Sequence, residues 1–259
     1  MKKLLTILLV GAMLLGLAAC GGDKGGQQAN NGGGTDEEKK ETLVMATNAE
    51  FPPYEYWENN AIVGIDAEVA AAIADKLGME LRIDDMAFDA TLVALQSGQA
   101  NMVMAGMTVT PERQENVNFS EPYAEGHQVI IVKEDSTIAT VEDLAGKKIG
   151  VQTNTTGDIY ITDDLGDEAV ARFNRGADAV MDLKNDKVDA VVIDLEPAKA
   201  FVAANEGLKI LDTEYATEEY AIAINKNDTE LLEKVNTALQ ELKDDGTLQQ
   251  IIDTYIPAE

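Results

Sequence analysis

From residue 43 onward, short apolar runs alternate with longer stretches whose apolar residues recur every three or four positions. The short runs read as buried strands and the periodic stretches as amphipathic helices, and their alternation predicts an α/β fold. Strands are expected at 43–47, 81–83 and 101–105, with helices at 65–78 and 90–98 between them. Val69, Ile73 and Leu77 form the apolar stripe of the first helix, which closes at Gly78 after Lys76. Thr110-Pro111-Glu112-Arg113 has the form of a helix start, with a capping hydroxyl, Pro at the first helical position and an acid near the positive end of the dipole. A second series has strands at 128–133, 148–151, 169–173, 188–194 and 209–211. Its helices are expected at 141–146, from 158, at 178–186 and at 196–205. A strand at 220–225 and helices through 229–254 complete the pattern.

The amino terminus departs from it. Residues 1–20 run from Lys2 and Lys3 through an apolar stretch to small residues before Cys20, the form of an export signal over 1–19. That stretch is shorter than the roughly 20 apolar residues that span a bilayer. Leu17-Ala18-Ala19-Cys20 resembles the lipobox of bacterial lipoproteins, which implies a diacylglycerol group on the Cys20 thiol after cleavage before it. Residues 21–42 are Gly, Asn, Gln and charge without periodicity, so together with Cys20 they read as an anchored flexible tether. No strand precedes their glycines and no helix follows directly, which a phosphate-cradling loop would require.

Composition narrows the chemistry. At 259 residues, 45% hydrophobic and 26% charged, the chain can bury a core in one large or two medium domains. Twenty Lys and Arg against 47 Asp and Glu give a net charge of −27, which disfavours nucleic acid and anionic lipid and accommodates a cationic or zwitterionic partner. One Cys and one His, His127, exclude intramolecular disulfides, Cys-rich metal sites and HExxH zinc chemistry. No metal-loop spacing surrounds Asp84-Asp85 or Asp163-Asp164, which read as solvated faces. No metal or cofactor is expected.

Several motifs agree in order and spacing: Phe51-Pro52-Pro53-Tyr54-Glu55-Tyr56, Gly64-Ile65-Asp66, Met104-Ala105-Gly106-Met107-Thr108 with Thr110-Pro111-Glu112-Arg113, and Phe119-Ser120-Glu121-Pro122-Tyr123. Over 43–257 the chain resembles the solute-binding proteins, family 3, of bacterial polar amino acid ABC transporters. The resemblance implies a periplasmic-binding-protein-like type II fold, a Venus flytrap of two α/β lobes joined by a double crossover. Lobe 1 would comprise 43–123 plus 219–259 and lobe 2 128–215, with hinges near 122–127 and 216–220. It further implies a monomer on the outer face of the cytoplasmic membrane that hands a free amino acid to a permease with its ATPase.

An α-amino acid carries a carboxylate and an ammonium on one carbon, so its receptor needs a fixed bidentate cation, a fixed acceptor and a side-chain pocket. Arg113, in the first turn of its helix, suits the carboxylate. Asp194 ends an apolar strand, where α/β crevices place ligands, and matches the family's acceptor for the ammonium, unless it serves as a helix N-cap. By resemblance, Ala105, Gly106 and Thr108 assist it, Gln152 and Thr156 meet the ligand from lobe 2, and Phe51 and Phe88 wall its side chain. Thr153 and Thr155 read as turn residues. Asn48 stands where relatives place an Asp, and its amide suits a Gln-like end. Glu50, if turned inward, would favour a cationic end such as Arg, Lys or His. Two other functions share this fold: a small-acid dehydratase using Glu50 or Asp194 for proton transfer, and a ligand-presenting sensor.

Overall fold

The computed structural model describes residues 40–257. The export signal, Cys20 and the tether lie outside the described residues. Both lobes contain a sheet whose central strands are apolar on both faces, because helices and loops cover each side.

The chain begins with β1 (Thr42–Thr47), then a short meander of β2 (Glu50–Phe51), β3 (Glu55–Glu58) and β4 (Ala61–Val63). Next come α1 (Ile65–Lys76), β5 (Glu80–Asp85), α2 (Phe88–Gln96), β6 (Met102–Val103), α3 (Pro111–Asn116) and β7 (Val117–Phe119). The long β8 (Ala124–Lys133) leads into β9 (Ile149–Gln152), α4 (Thr156–Leu165), β10 (Val170–Phe173) and α5 (Gly176–Lys184). Then follow β11 (Ala190–Asp194), α6 (Leu195–Ala204) and β12 (Leu208–Ile210). Finally β13 (Ala216–Tyr220) and β14 (Ala223–Asn225) precede α7 (Thr229–Asp244) and α8 (Thr247–Tyr255).

The first sheet has the order β5-β1-β6-β14-β7 and the second β10-β9-β11-β8-β12. The first sheet therefore takes strands from both ends of the chain. Two strands run between the sheets, β8 outward and β13 back, and they pair antiparallel from Ala124 opposite Tyr220 to Gln128 opposite Ala216. Gly126 sits within this ribbon, where a Cβ would lie 2.4 Å from the Tyr220 ring. The absence of a side chain there lets the ribbon close over Tyr220.

Several elements differ from the sequence expectation for local reasons. Residues 141–146 form a short 3₁₀ turn, Val141–Leu144, held by a capping box between Thr140 and Asp143. The strand expected at 101–105 pairs only at Met102–Val103, because the chain then turns into the loop around Gly106. The strand expected at 220–225 is two strands, since the chain passes there from one sheet to the other. The meander 50–63 was not anticipated; its turn is Asn59-Asn60, both at positive φ, a pairing suited to a tight hairpin. Asp85 is exposed, as a solvated acid should be, and its carboxylate also accepts from the Ala49 N–H at 2.9 Å and from Trp57 Nε1 at 2.8 Å, fixing the chain that enters the site. No helix among the described residues is long and apolar enough to cross a membrane.

Candidate functional site

A narrow cavity lies between the two sheets. Asn48, Phe51, Phe88, Ala105, Gly106, Thr108, Arg113, Gln152, Thr156 and Asp194 all line it. These residues come from loops at strand ends and from helix starts, where open α/β sheets leave a crevice. Glu50 is not in the lining; its Oε1 lies 3.9 Å from Arg175 and its Oε2 is buried without a hydrogen-bond partner among the described residues. Glu55 and Thr155 complete the wall.

Arg113 is held from several sides. Thr110 caps α3 by accepting from the Arg113 N–H at 3.2 Å. The guanidinium donates to the Thr108 carbonyl at 2.8 Å and, across the cleft, to the Asn154 carbonyl at 3.0 Å. Its carbon lies 5.4 Å from the centre of the Phe88 ring, a cation–π contact. Burial lowers the Arg113 pKa from its ordinary value, while the charges of Glu218 and Asp194 act the other way. A buried guanidinium surrounded by carbonyls and an aromatic face is ready to receive a carboxylate.

Asp194 occupies the N-cap position of α6, yet its side chain makes no cap hydrogen bond. It accepts instead from the Tyr220 hydroxyl. Burial, and then the neighbouring Glu218 charge, pushes its carboxyl up to about 7. A cation placed beside it would restore the ionised form.

Gly106 has φ +52°, and a Cβ there would stand 2.7 Å from the Phe51 ring. Backbone turn and aromatic wall thus both require glycine at this point. The Gly106 N–H donates to Asp66 at 3.0 Å, and Tyr123 at the start of the crossing donates to the same carboxylate at 2.7 Å. Phe51 packs against the apolar clusters of both lobes.

The Asn48 amide is already engaged. Its Nδ2 donates to the Met86 carbonyl at 2.9 Å, and its Oδ1 accepts from Gln152 Nε2 at 2.9 Å across the cleft. Glu55 has the opposite status. It is 1% exposed, its oxygens accept from no N–H or hydroxyl donor among the described residues, and its protonated carboxyl hydrogen-bonds to the buried Asp66 carboxylate. Burial first, then the Asp66 charge, holds its carboxyl well above the usual range. The sequence signal for Glu55 was an acid set between Tyr54 and Tyr56 in the aromatic, proline-containing motif. Thr155 is a turn residue, as the sequence predicts: it is the N-cap of α4, its hydroxyl donates to the Gln152 carbonyl at 2.8 Å, and it also faces the cavity.

Two sheet-containing lobes, a crossing ribbon and a cleft lined by a buried arginine, Arg113, and two buried carboxyls, Glu55 and Asp194, define a type II periplasmic binding protein. The chain belongs to the bacterial extracellular solute-binding proteins, family 3, whose model matches residues 43–258. It is 35% identical to the arginine-binding extracellular protein ArtP of Bacillus subtilis (strain 168), over the whole of both chains. Its fold matches the arginine-, lysine-, histidine-binding protein ArtJ of Geobacillus stearothermophilus with a TM-score of 0.80 and 33% identity, covering 85% of this chain and 96% of that one. An ancestral arginine-binding protein bound to glutamine matches with a TM-score of 0.80 and 42% identity, covering 84% and 98% of the two chains. These relatives are binding proteins, which does not favour the dehydratase reading.

Proposed function

We propose that this protein captures arginine outside the cytoplasm and delivers it to the permease of an ABC importer, with no bond made or broken. The observation that carries the choice of ligand is Glu55, a buried carboxyl in the cavity wall that no N–H or hydroxyl donor of the described residues reaches and that has only the Asp66 carboxylate beside it. A guanidinium is planar and presents paired N–H donors to such a carboxylate. Asn48, the position suited to a Gln-like end, spends its amide on Met86 and Gln152. The names of the relatives, arginine-binding above all, support the same reading.

In this account Arg113 and the first N–H groups of α4 hold the ligand carboxylate, Asp194 and Thr108 take the ammonium, and Phe51 and Phe88 enclose the aliphatic stem. Lobe 1 is 43–123 plus 219–259, lobe 2 is 128–215, and the hinges lie near 122–127 and 216–220. The β8–β13 ribbon supports that placement, because it carries the only two strands that run between the sheets among the described residues. Ligand bridging the lobes shifts the hinge toward the closed form, which the permease recognises. Cys20 anchors the molecule to the membrane by its lipid, and the tether gives it reach.

The test is calorimetric. Glu55→Gln keeps the shape and removes the charge, so arginine affinity should fall by about ten- to a hundredfold, the worth of a charged hydrogen-bonded pair. Glutamine affinity should change far less. Unchanged arginine affinity in Glu55→Gln would overturn the assignment of Glu55 and of the ligand it selects.

A further inference from the structure

Thr108 and Thr156 face the same cavity with the same side chain, yet an amino acid needs opposite behaviour from its two ends: acceptors at the ammonium and donors at the carboxylate. The structure supplies a device that separates them. Glu218 lies on β13, opposite Gly126 in the crossing ribbon, is 5% exposed and does not line the cavity. Its Oε2 accepts from the Thr108 hydroxyl at 3.0 Å and from Gln128 Nε2 at 3.2 Å. Gln128, fully buried on β8, also donates from Nε2 to the Thr156 hydroxyl oxygen at 3.3 Å.

A hydroxyl has one proton. Thr108 spends its proton on the Glu218 carboxylate, so only lone pairs remain for the cavity. Thr156 receives its hydrogen bond from Gln128, so its own proton is free to point at the cavity. We infer that Glu218 and Gln128 are positioning residues that fix these two hydroxyls in opposite senses, Thr108 as an acceptor for the ligand ammonium and Thr156 as a donor to its carboxylate.

The backbone keeps the device in register. The Val109 N–H donates to the Glu219 carbonyl at 3.0 Å and the Ala221 N–H to the Met107 carbonyl at 3.1 Å, so the Thr108 loop is tied to the chain on both sides of Tyr220, just after Glu218. The two residues that set the hydroxyls belong to the two strands that cross between the lobes. Hydroxyl polarity and lobe crossing are therefore built into the same ribbon. A carboxamide in place of Glu218 could donate to Thr108 and reverse it, whereas a carboxylate only accepts.

This inference rests on the amino acid reading above, and its test separates the two. Wild-type protein is titrated calorimetrically with arginine, with its des-amino analogue 5-guanidinopentanoate, and with its decarboxylated analogue agmatine. In Glu218→Gln, arginine should lose about tenfold of its advantage over the des-amino analogue, the worth of a hydrogen bond to a charged group. In Gln128→Leu, arginine should instead lose a similar share of its advantage over agmatine, and more of it than of its advantage over the des-amino analogue, which the loss of the Gln128–Glu218 bond touches only indirectly. Thr108→Val should abolish the Glu218→Gln effect, because the hydroxyl that Glu218 orients is gone. Equal weakening of arginine and both analogues in each variant would mean that Glu218 and Gln128 only support the fold, and would overturn the proposal. Wild-type protein that binds none of the three would overturn the ligand reading itself and the inference with it. Should Glu218→Gln not fold, the Gln128→Leu and Thr108→Val titrations decide alone, the first by its agmatine ratio and the second by loss of the ammonium preference.

Discussion

Asp194 shows how a single residue can hold a cap position and serve the cleft. Its backbone starts α6, but its carboxylate turns to Tyr220 and to the cavity, beside Glu218, Arg113 and Gln128. Burial raises both Asp194, to about 7, and Glu55, so in the ligand-free site each is shifted toward its protonated form. An ammonium beside Asp194 and a guanidinium beside Glu55 favour the ionised forms, so both pKa values fall on binding. Arginine capture should therefore release protons, and affinity should decline as pH falls through about 7, the raised value of Asp194. Calorimetry in buffers of different ionisation enthalpy checks this. An affinity that stays flat between about pH 5 and pH 8, with no buffer dependence, would contradict the proposed roles of both carboxyls.

At the scale of elements, α3 is only six residues long, and its one side-chain cap, Thr110, is what seats Arg113. Thr110→Ala should cost about 1 kcal/mol of stability, seen as a melting temperature lower by about 2–4 °C. Arginine affinity should drop as well, but by less than in Arg113→Ala, because Phe88 and the Thr108 carbonyl still hold the guanidinium. A variant with full arginine affinity would mean that the cap does not position Arg113.

This helix start was legible in the sequence because every signal it uses is local. The same holds for β1 and β11, whose unbroken apolar runs reflect burial on both faces. The meander at 50–63 was not legible, since Glu55, Tyr56, Trp57 and Glu58 show no alternation and only the Asn59-Asn60 turn marks it. Resemblance placed ten residues that the fold does gather around one cavity, drawn from both lobes. It could not disclose Glu55 or Glu218. In each case an acid in a polar stretch is buried by contacts distant in sequence, Asp66 for one and Thr108 with Gln128 for the other. Asn48 was legible as a site residue but not in its role, because its partner Gln152 is 104 positions away.

On the scale of the whole molecule, cross-cleft bonds link the lobes where the ligand would sit. Asn48 meets Gln152, Arg113 meets the Asn154 carbonyl, and Glu218 ties Thr108 to Gln128. Each uses a residue in or next to the cavity wall, so the polar groups that bring the lobes together are those that surround the ligand. In the proposed cycle, filling the cavity and closing the cleft are one event, with the β8–β13 ribbon as the joint. The large negative charge of the chain, −27, fits the same picture, since it attracts a cationic solute and repels anionic ones. The central claim is that the solute is arginine. Its most direct test is titration of the ligand-free protein, unfolded and refolded to strip any carried solute, with arginine, lysine, histidine and glutamine in a calorimeter. The account predicts one-to-one binding with arginine the tightest of the four and glutamine at least about tenfold weaker, the difference expected from leaving Glu55 without its cation. Glutamine binding as tightly as arginine, or no binding by any of the four, would contradict it.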